Sequence, residues 1–372
     1  MARDVAVPHG DEREPRGVQL ENVSLFMAAA AMLVGALVGF AFLRDHTPFR
    51  GTGWRSVSTI SSLSAGILSS LIFLYVTVRY SGLVRSATQQ IPRWRSTLHV
   101  LGLTLMMGSV TSFAMQGLNH IVDAAFIGLR FDVYSGVAYI ALACGFCGYF
   151  VAAAGGRLTI EIISSVVAAM LVLGALLSAV NASDQYWWRV HFSQLGMLGG
   201  AAGLAFNYTL ILTGLVIVVL ADFLAHDMRA WLRATGQGRW KSIFVRVGFL
   251  AMGAALAMVG LLPVHVSHKG HLYSTYAAVG SFVVLALMTP VILRKVPWGF
   301  RLVSWALLGL VTLLGYLFKG LRHLGTTGFE ILSVSTVLMW MMLFVRTIAA
   351  VNRDAPGIEH ETRVVEPVEP ER

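Results

Sequence analysis

The sequence predicts an all-α fold: a polytopic membrane helical bundle of about ten transmembrane helices. Three observations predict it. Of 372 residues, 56% are hydrophobic and only 13% are charged. Mean hydropathy is +0.70. The apolar residues fall in long runs broken by short basic connectors, a pattern that no water-soluble globule or disordered chain shows. Only two cysteines, Cys144 and Cys147, are present, which excludes a disulfide-stapled secreted scaffold. Backbone amides in hydrocarbon must bond within their own segment, so runs of this length are helices.

A crossing needs about 20 apolar residues, because a helix rises about 1.5 Å per residue through about 30 Å of hydrocarbon. An acidic tail, 1–22, precedes the first span, 23–43; it has no apolar stretch, so that span acts as an uncleaved insertion signal. Gly35-x-x-x-Gly39 within it permits close helix contact. The second span, 57–79, opens on Thr59-Ile60-Ser61-Ser62 after Trp54-Arg55, and the third covers 98–118. The fourth, 133–153, starts at Asp132-Val133-Tyr134-Ser135 and carries Cys144 and Cys147 as packing residues at i and i+3. Spans five and six, 158–180 and 204–224, are joined by Asp184-Gln185-Tyr186-Trp187-Trp188-Arg189, whose aromatics suit a short helix along the membrane surface. Gly196, Gly199, Gly200 and Gly203 then read as helix-contact positions. Spans seven to ten cover 246–263, 273–293, 302–318 and 328–350, and a disordered acidic tail, 351–372, closes the chain.

These spans divide into a four-helix unit, 23–157, and a six-helix unit, 158–350. Trp54-Arg55 before span two resembles Trp188-Arg189 before span six, and Asp132 heads span four much as His271 heads span eight. Helices 1–4 therefore read as a candidate diverged copy of helices 5–8.

Orientation follows from the basic residues. With the N-terminus inside, the cytoplasmic side carries twenty Lys and Arg and the other side eight. The cytoplasmic set includes Arg79, Arg85, Arg93 and Arg95, then Arg229, Arg233, Arg239, Lys241 and Arg246. Both termini are expected in the cytoplasm of a cell with an inner membrane. The net charge of +9 is spread over connectors, which is not the footprint of a nucleic-acid binder. The expected partners are membrane lipids and envelope-assembly proteins.

This topology puts seven of eleven histidines on the outer face: His46, His120, His191, His265, His268, His271 and His323. Ionisable groups cost roughly 2.5–3.5 kcal/mol each at membrane depth, so those near helix ends reach water or pair in a cavity. The candidate ligand-binding residues are Arg189, for a phosphate, with Ser193 and a floor of His191, His271 and Glu330. Glu330 has a second, structural reading as a first-turn acid complementing its helix dipole, capped by Thr326 or Thr327. No cofactor is expected in the main reading. The alternative is zinc on His265-x-x-His268-x-x-His271, completed by His191 or Asp184, which needs imidazoles converging at about 2.0–2.1 Å from one ion. Lys269-Gly270 suggests a bend there rather than a helix. No Walker or dinucleotide fingerprint occurs.

Residues 158–350 carry Phe192-Ser193-Gln194-Leu195-Gly196, Phe206-Asn207, Gly260-Leu261-Leu262-Pro263 followed by His271, and Glu330 with Trp340. In these motifs the chain resembles the bacterial membrane family of domain of unknown function number 998, which is similar to the FRAG/DRAM/Sfk superfamily of six-helix proteins. It departs from that pattern after the proline, where Val264-His265 replaces an acidic residue. The resemblance implies a link to lipid remodelling or lipid distribution, no settled activity, and His271, Ser193 and Glu330 as the positions to test. The expected function is handling of lipid, or of a lipid-linked envelope precursor, through an outward-facing polar cavity. The alternatives are a membrane-embedded metal-dependent hydrolase or acyl-transfer enzyme, and a secondary transporter.

Overall fold

The computed structural model describes residues 16–51, 55–84 and 92–354. Most of both expected tails, together with Trp54 and Arg85, lies outside them. The described residues form ten long helices: α1 (Arg16–Phe42), α2 (Val57–Tyr80), α3 (Arg93–Ala125), α4 (Val133–Gly156), α5 (Ile160–Val180), α6 (Gly200–Ala234), α7 (Trp240–Leu261), α8 (His268–Ile292), α9 (Trp298–Gly315) and α10 (Thr326–Arg353). All ten, α9 with a π-helical extension Tyr316–Gly320, are long and apolar enough to cross a membrane. The protein is an integral, multi-pass membrane bundle. Strand is confined, among the described residues, to a two-residue antiparallel bridge, β1 (Thr47–Pro48) with β2 (Arg130–Phe131).

Local chemistry sets the helix starts. Ser56, Asp132, Thr159 and Ser267 each accept a backbone N–H from the first turn of α2, α4, α5 and α8, which satisfies donors that a helix start leaves unpaired. Ser267 moves the start of α8 forward. The helix runs through Lys269-Gly270, where a bend was expected, and His271 lies inside its first turn rather than at its head. α1 likewise begins at Arg16, because Leu20 is buried and Glu21 accepts from Tyr149 Oη at 2.5 Å and pairs with Arg157 at 3.6 Å.

Small residues set the closest helix contacts. A Cβ at Gly35 would stand 2.9 Å from Cys144 Cβ and 3.1 Å from the Ile140 carbonyl oxygen, and one at Gly39 would stand 3.0 Å from Val137 Cα. The expected close contact thus joins α1 to α4. α6 and α7 cross at a pair of glycines: a Cβ at Gly214 would collide with the Gly253 carbonyl oxygen, and one at Gly253 would meet the Gly214 oxygen at 2.6 Å. The Gly196–Gly203 run meets the expectation in part. Gly199 caps α6 and Gly200 has φ of +71°, so these two turn the chain, whereas a Cβ at Gly196 would stand 2.6 Å from Asn207 Oδ1 and one at Gly203 would collide with the Leu198 backbone, so these two let the connector pack closely on α6. Packing does not repeat between the first two quartets: α1 lies along α4, whereas α5 and α8 share no comparable contact.

Each half has its own internal anchor. In the four-helix half, Asn119 is fully buried and donates to Ser58 O and the Ser61 and Ser62 hydroxyls at 3.0–3.1 Å, while Tyr139 Oη donates to its Oδ1 at 2.5 Å. That ties α2, α3 and α4 with every Asn119 group satisfied. In the six-helix half, Trp340 is fully buried, stacks on Phe344 at 5.2 Å and donates to Ser304 Oγ at 3.0 Å. Phe249, Phe282 and Phe300 surround it, so one indole joins α7, α8, α9 and α10.

The halves are locked together by a cluster that the sequence reading passed over. Asp222 of α6, 4% exposed, meets Arg95 of α3 at 2.7 Å, Arg246 of α7 at 2.7 Å and His99 Nε2 of α3 at 3.1 Å. It belongs to the end of the bundle where both described termini lie, as do the Glu161–Arg353 pair and the Glu21 contacts.

Candidate functional site

At the opposite end, within the six-helix half, α5, α6, α7, α8 and α10 surround a cavity of about 560 Å³. That volume lies in the range typical of small-ligand sites, about 300–1,000 Å³. Its wall is almost wholly apolar, with Leu171 and Val172 from α5, Leu256 and Val259 from α7, and Leu338 from α10. The polar residues in the lining are Ser193, Thr209, His271, Thr275, Glu330, Ser333 and Ser335, and Ser193, His271, Thr275, Glu330 and Ser333 come from the connector before α6 and the first turns of α8 and α10. The expected polar cavity is therefore an apolar one with a polar cap.

The cap is built on the connector before α6. Two short 3-10 helices, Trp187–Arg189 and Phe192–Met197, replace the single surface helix expected there. Four hydrogen bonds hold them. Thr327 Oγ1 donates to Trp188 O at 2.6 Å, Asn207 Nδ2 donates to Gly196 O at 2.9 Å, and Glu330 Oε2 accepts from Phe192 N at 2.5 Å and Ser193 N at 3.3 Å. Glu330 thus caps another segment's helix start, beside the cavity that both line. The anticipated threonine caps of its own helix do not form: Gly325 precedes α10 without a side-chain cap bond. Phe192 packs edge-on against Phe206 with ring centroids 5.3 Å apart, fixing the connector over α6.

Of the five candidate residues, three are joined by hydrogen bonds: Ser193 Oγ lies 2.9 Å from His191 Nδ1, and Glu330 accepts from the Ser193 amide at 3.3 Å. His271 lines the same cavity as Ser193 and Glu330 without a hydrogen bond to either. The His271 Nδ1 is occupied by the Leu262 carbonyl at 3.1 Å, which fixes the ring against the end of α7. Arg189 does not join them. It is exposed, and its guanidinium stacks on Tyr186 at 4.3 Å and on Trp188 at 5.5 Å, away from the cavity wall. Ser333 was not foreseen. One turn beyond Glu330 on α10, it lines the cavity, and its hydroxyl is buried with no hydrogen-bond partner among the described residues, an arrangement that costs about 1–3 kcal/mol unless a ligand or water satisfies it.

The histidine cluster comes apart. His265 and His268 are exposed, while His271 turns inward to Leu262. Among the described residues no three His, Cys, Asp or Glu side chains are placed to share a metal ion, so His265, His268 and His271 do not form the three-ligand set that zinc requires.

Burial holds the His191 imidazole below the ordinary histidine range. The folded state therefore favours the neutral ring. The stability it contributes is fully present above the ordinary value of about 6.5 and is lost as pH falls through the lowered folded value. Thermal unfolding of purified protein between pH 8 and pH 5 should show this acid loss, and a His191→Gln variant should show less of it. Equal acid sensitivity of the two proteins would contradict the assignment.

No family model, curated protein or solved structure matches the chain.

Proposed function

We propose that this membrane protein binds an amphiphile, a lipid or lipid-linked molecule, with its apolar chain in the cavity and its polar end against Ser193, His271, Glu330 and Ser333. The observation that carries the reading is the pairing of a large apolar cavity with a few polar residues, Ser193, His271 and Glu330 among them, at the connector and helix starts of one end. An apolar chain gains about 25 cal/mol per Å² on leaving water, and the cap supplies donors and acceptors for a headgroup or linker. The excess of Lys and Arg in the connectors of the termini end supports a cytoplasmic position for that end, with the capped end as the outer one in this reading. Kinship with the domain of unknown function number 998 belongs to the same proposal. It is supported by the roles of its motif residues, since Phe192, Asn207 and Glu330 are those that fasten the cap.

Filling the cavity tests the reading. Ala175 of α5 lines it, and Ala175→Trp should lower binding of a radiolabelled long-chain phospholipid in neutral detergent by about tenfold, a loss of about 1.4 kcal/mol. Unchanged binding by a folded Ala175→Trp protein would remove the cavity from the account.

A second reading, acyl transfer without a metal, is favoured by one contact, the 2.9 Å approach of Ser193 Oγ to His191 Nδ1. A neutral imidazole there accepts the serine proton. Labelling of Ser193 by a fluorophosphonate, abolished by His191→Gln, would establish it.

A further inference from the structure

The ion cluster around Asp222 carries more positive charge than its own geometry uses. One carboxylate faces two guanidiniums, and the two contribute unequal parts: Arg95 through Nη2, Arg246 through Nε. A guanidinium has five N–H donors, so most donors in this pair are not spent on Asp222. Asp222 and His99 are buried, at 4% and 6% exposure, but the Arg95 and Arg246 side chains are 31% and 37% exposed. The uncommitted donors open to the surroundings of the bundle.

Their level in the membrane follows from helix lengths. Arg95 is the third residue of α3, and α6, at 35 residues, is far longer than a crossing needs, with Asp222 a few turns before its end. The two arginines therefore lie where hydrocarbon gives way to headgroups. Exposed apolar side chains border them: Leu98 one turn along α3 from Arg95, and Ile243 and Val247 on α7 beside Arg246.

We propose that Arg95 and Arg246 form a seat for the phosphate of an anionic phospholipid in the leaflet at the termini end, with Asp222 as the buried post that fixes both guanidiniums. Planar forks match phosphate oxygens in pairs, and basic pockets between helices on a cytoplasmic face bind anionic headgroups. The neighbouring apolar side chains favour a lipid over a free anion, since they offer its acyl chains a bed. This site is separate from the cavity at the other end and does not depend on it.

Native mass spectrometry of the purified full chain in neutral detergent tests the seat, with phosphatidylglycerol, phosphatidylcholine and inorganic phosphate as probes. The expected result is retention of phosphatidylglycerol about fivefold above phosphatidylcholine, weakened by raised salt. Arg246→Lys and Arg95→Lys keep a charge beside Asp222 but lose the fork, and each should bring phosphatidylglycerol down toward the phosphatidylcholine level. Equal retention of the two lipids, or preference unchanged in both lysine variants, overturns the seat. Complete displacement of phosphatidylglycerol by millimolar phosphate assigns the arginines to a soluble anion and overturns the lipid. Should the variants not survive purification, salt-independent retention by the wild-type chain overturns it equally.

Discussion

Replacing Asp222 with alanine is expected to destabilise the protein by about 3 kcal/mol, the low end for breaking a buried ion pair. The carboxylate is 4% exposed and is the shared partner of Arg95, Arg246 and His99. Its loss leaves two guanidiniums facing each other with no counter-charge near the membrane. Partial exposure of both arginines lets water and headgroups relieve some of the penalty, which sets the estimate at the low end. Because Arg95 and His99 come from α3 while Asp222 and Arg246 come from α6 and α7, the loss falls on the joint between the halves. Thermal unfolding in detergent should show a lowered midpoint for Asp222→Ala, with Asp222→Glu much closer to the wild type. Equal midpoints for Asp222→Ala and wild type would show that the helix packing alone holds the joint.

The largest functional effect is expected at the cap. Glu330→Ala should reduce amphiphile binding at least about tenfold, equivalent to about 1.4 kcal/mol. The carboxylate serves both as a polar wall of the cavity and as acceptor for the Phe192 and Ser193 amides. Removing it leaves two amides unpaired, at about 1–3 kcal/mol each where buried, and frees the connector that covers the cavity. Glu330→Gln separates the two effects: its amide oxygen can still accept from the connector, so the cover stays while the negative charge goes. His271→Ala, which removes a cavity-facing ring without touching the connector's amides, should reduce binding with little change in unfolding. Full binding by both Glu330→Ala and His271→Ala would show that the polar cap plays no part in recognition.

The bundle was legible in the sequence because the signal is local and one-dimensional: twenty apolar residues bounded by charge specify a crossing whatever the neighbours do. Gly35 and Gly39 were legible for the same reason, their spacing being a property of one helix. The histidine series was misleading. Three-residue spacing in His265, His268 and His271 put two rings on the surface and turned one inward, since Ser267 starts a helix where Lys269-Gly270 suggested a bend. Arg189 looked like a phosphate ligand, but the two aromatics beside it in the chain captured its guanidinium. Asp222 and Ser333 were missed because their roles depend on helices far apart in sequence. A lone acid in a span, opposite arginines at the same predicted depth, was the available signal for Asp222; Ser333 offered only its place one turn from Glu330.

The claim that an amphiphile's chain lies inside the six-helix half is tested most directly by photolabelling with a phospholipid that carries a diazirine on its acyl chain, followed by mapping of the labelled residues. The account predicts labels on Leu256, Val259 and Leu338, which line the cavity, protected by excess unlabelled lipid and lost in Ala175→Trp. Labels confined to outward-facing positions such as Leu142 and Phe146 of α4, which are 62% and 68% exposed, and indifferent to competitor, would contradict it.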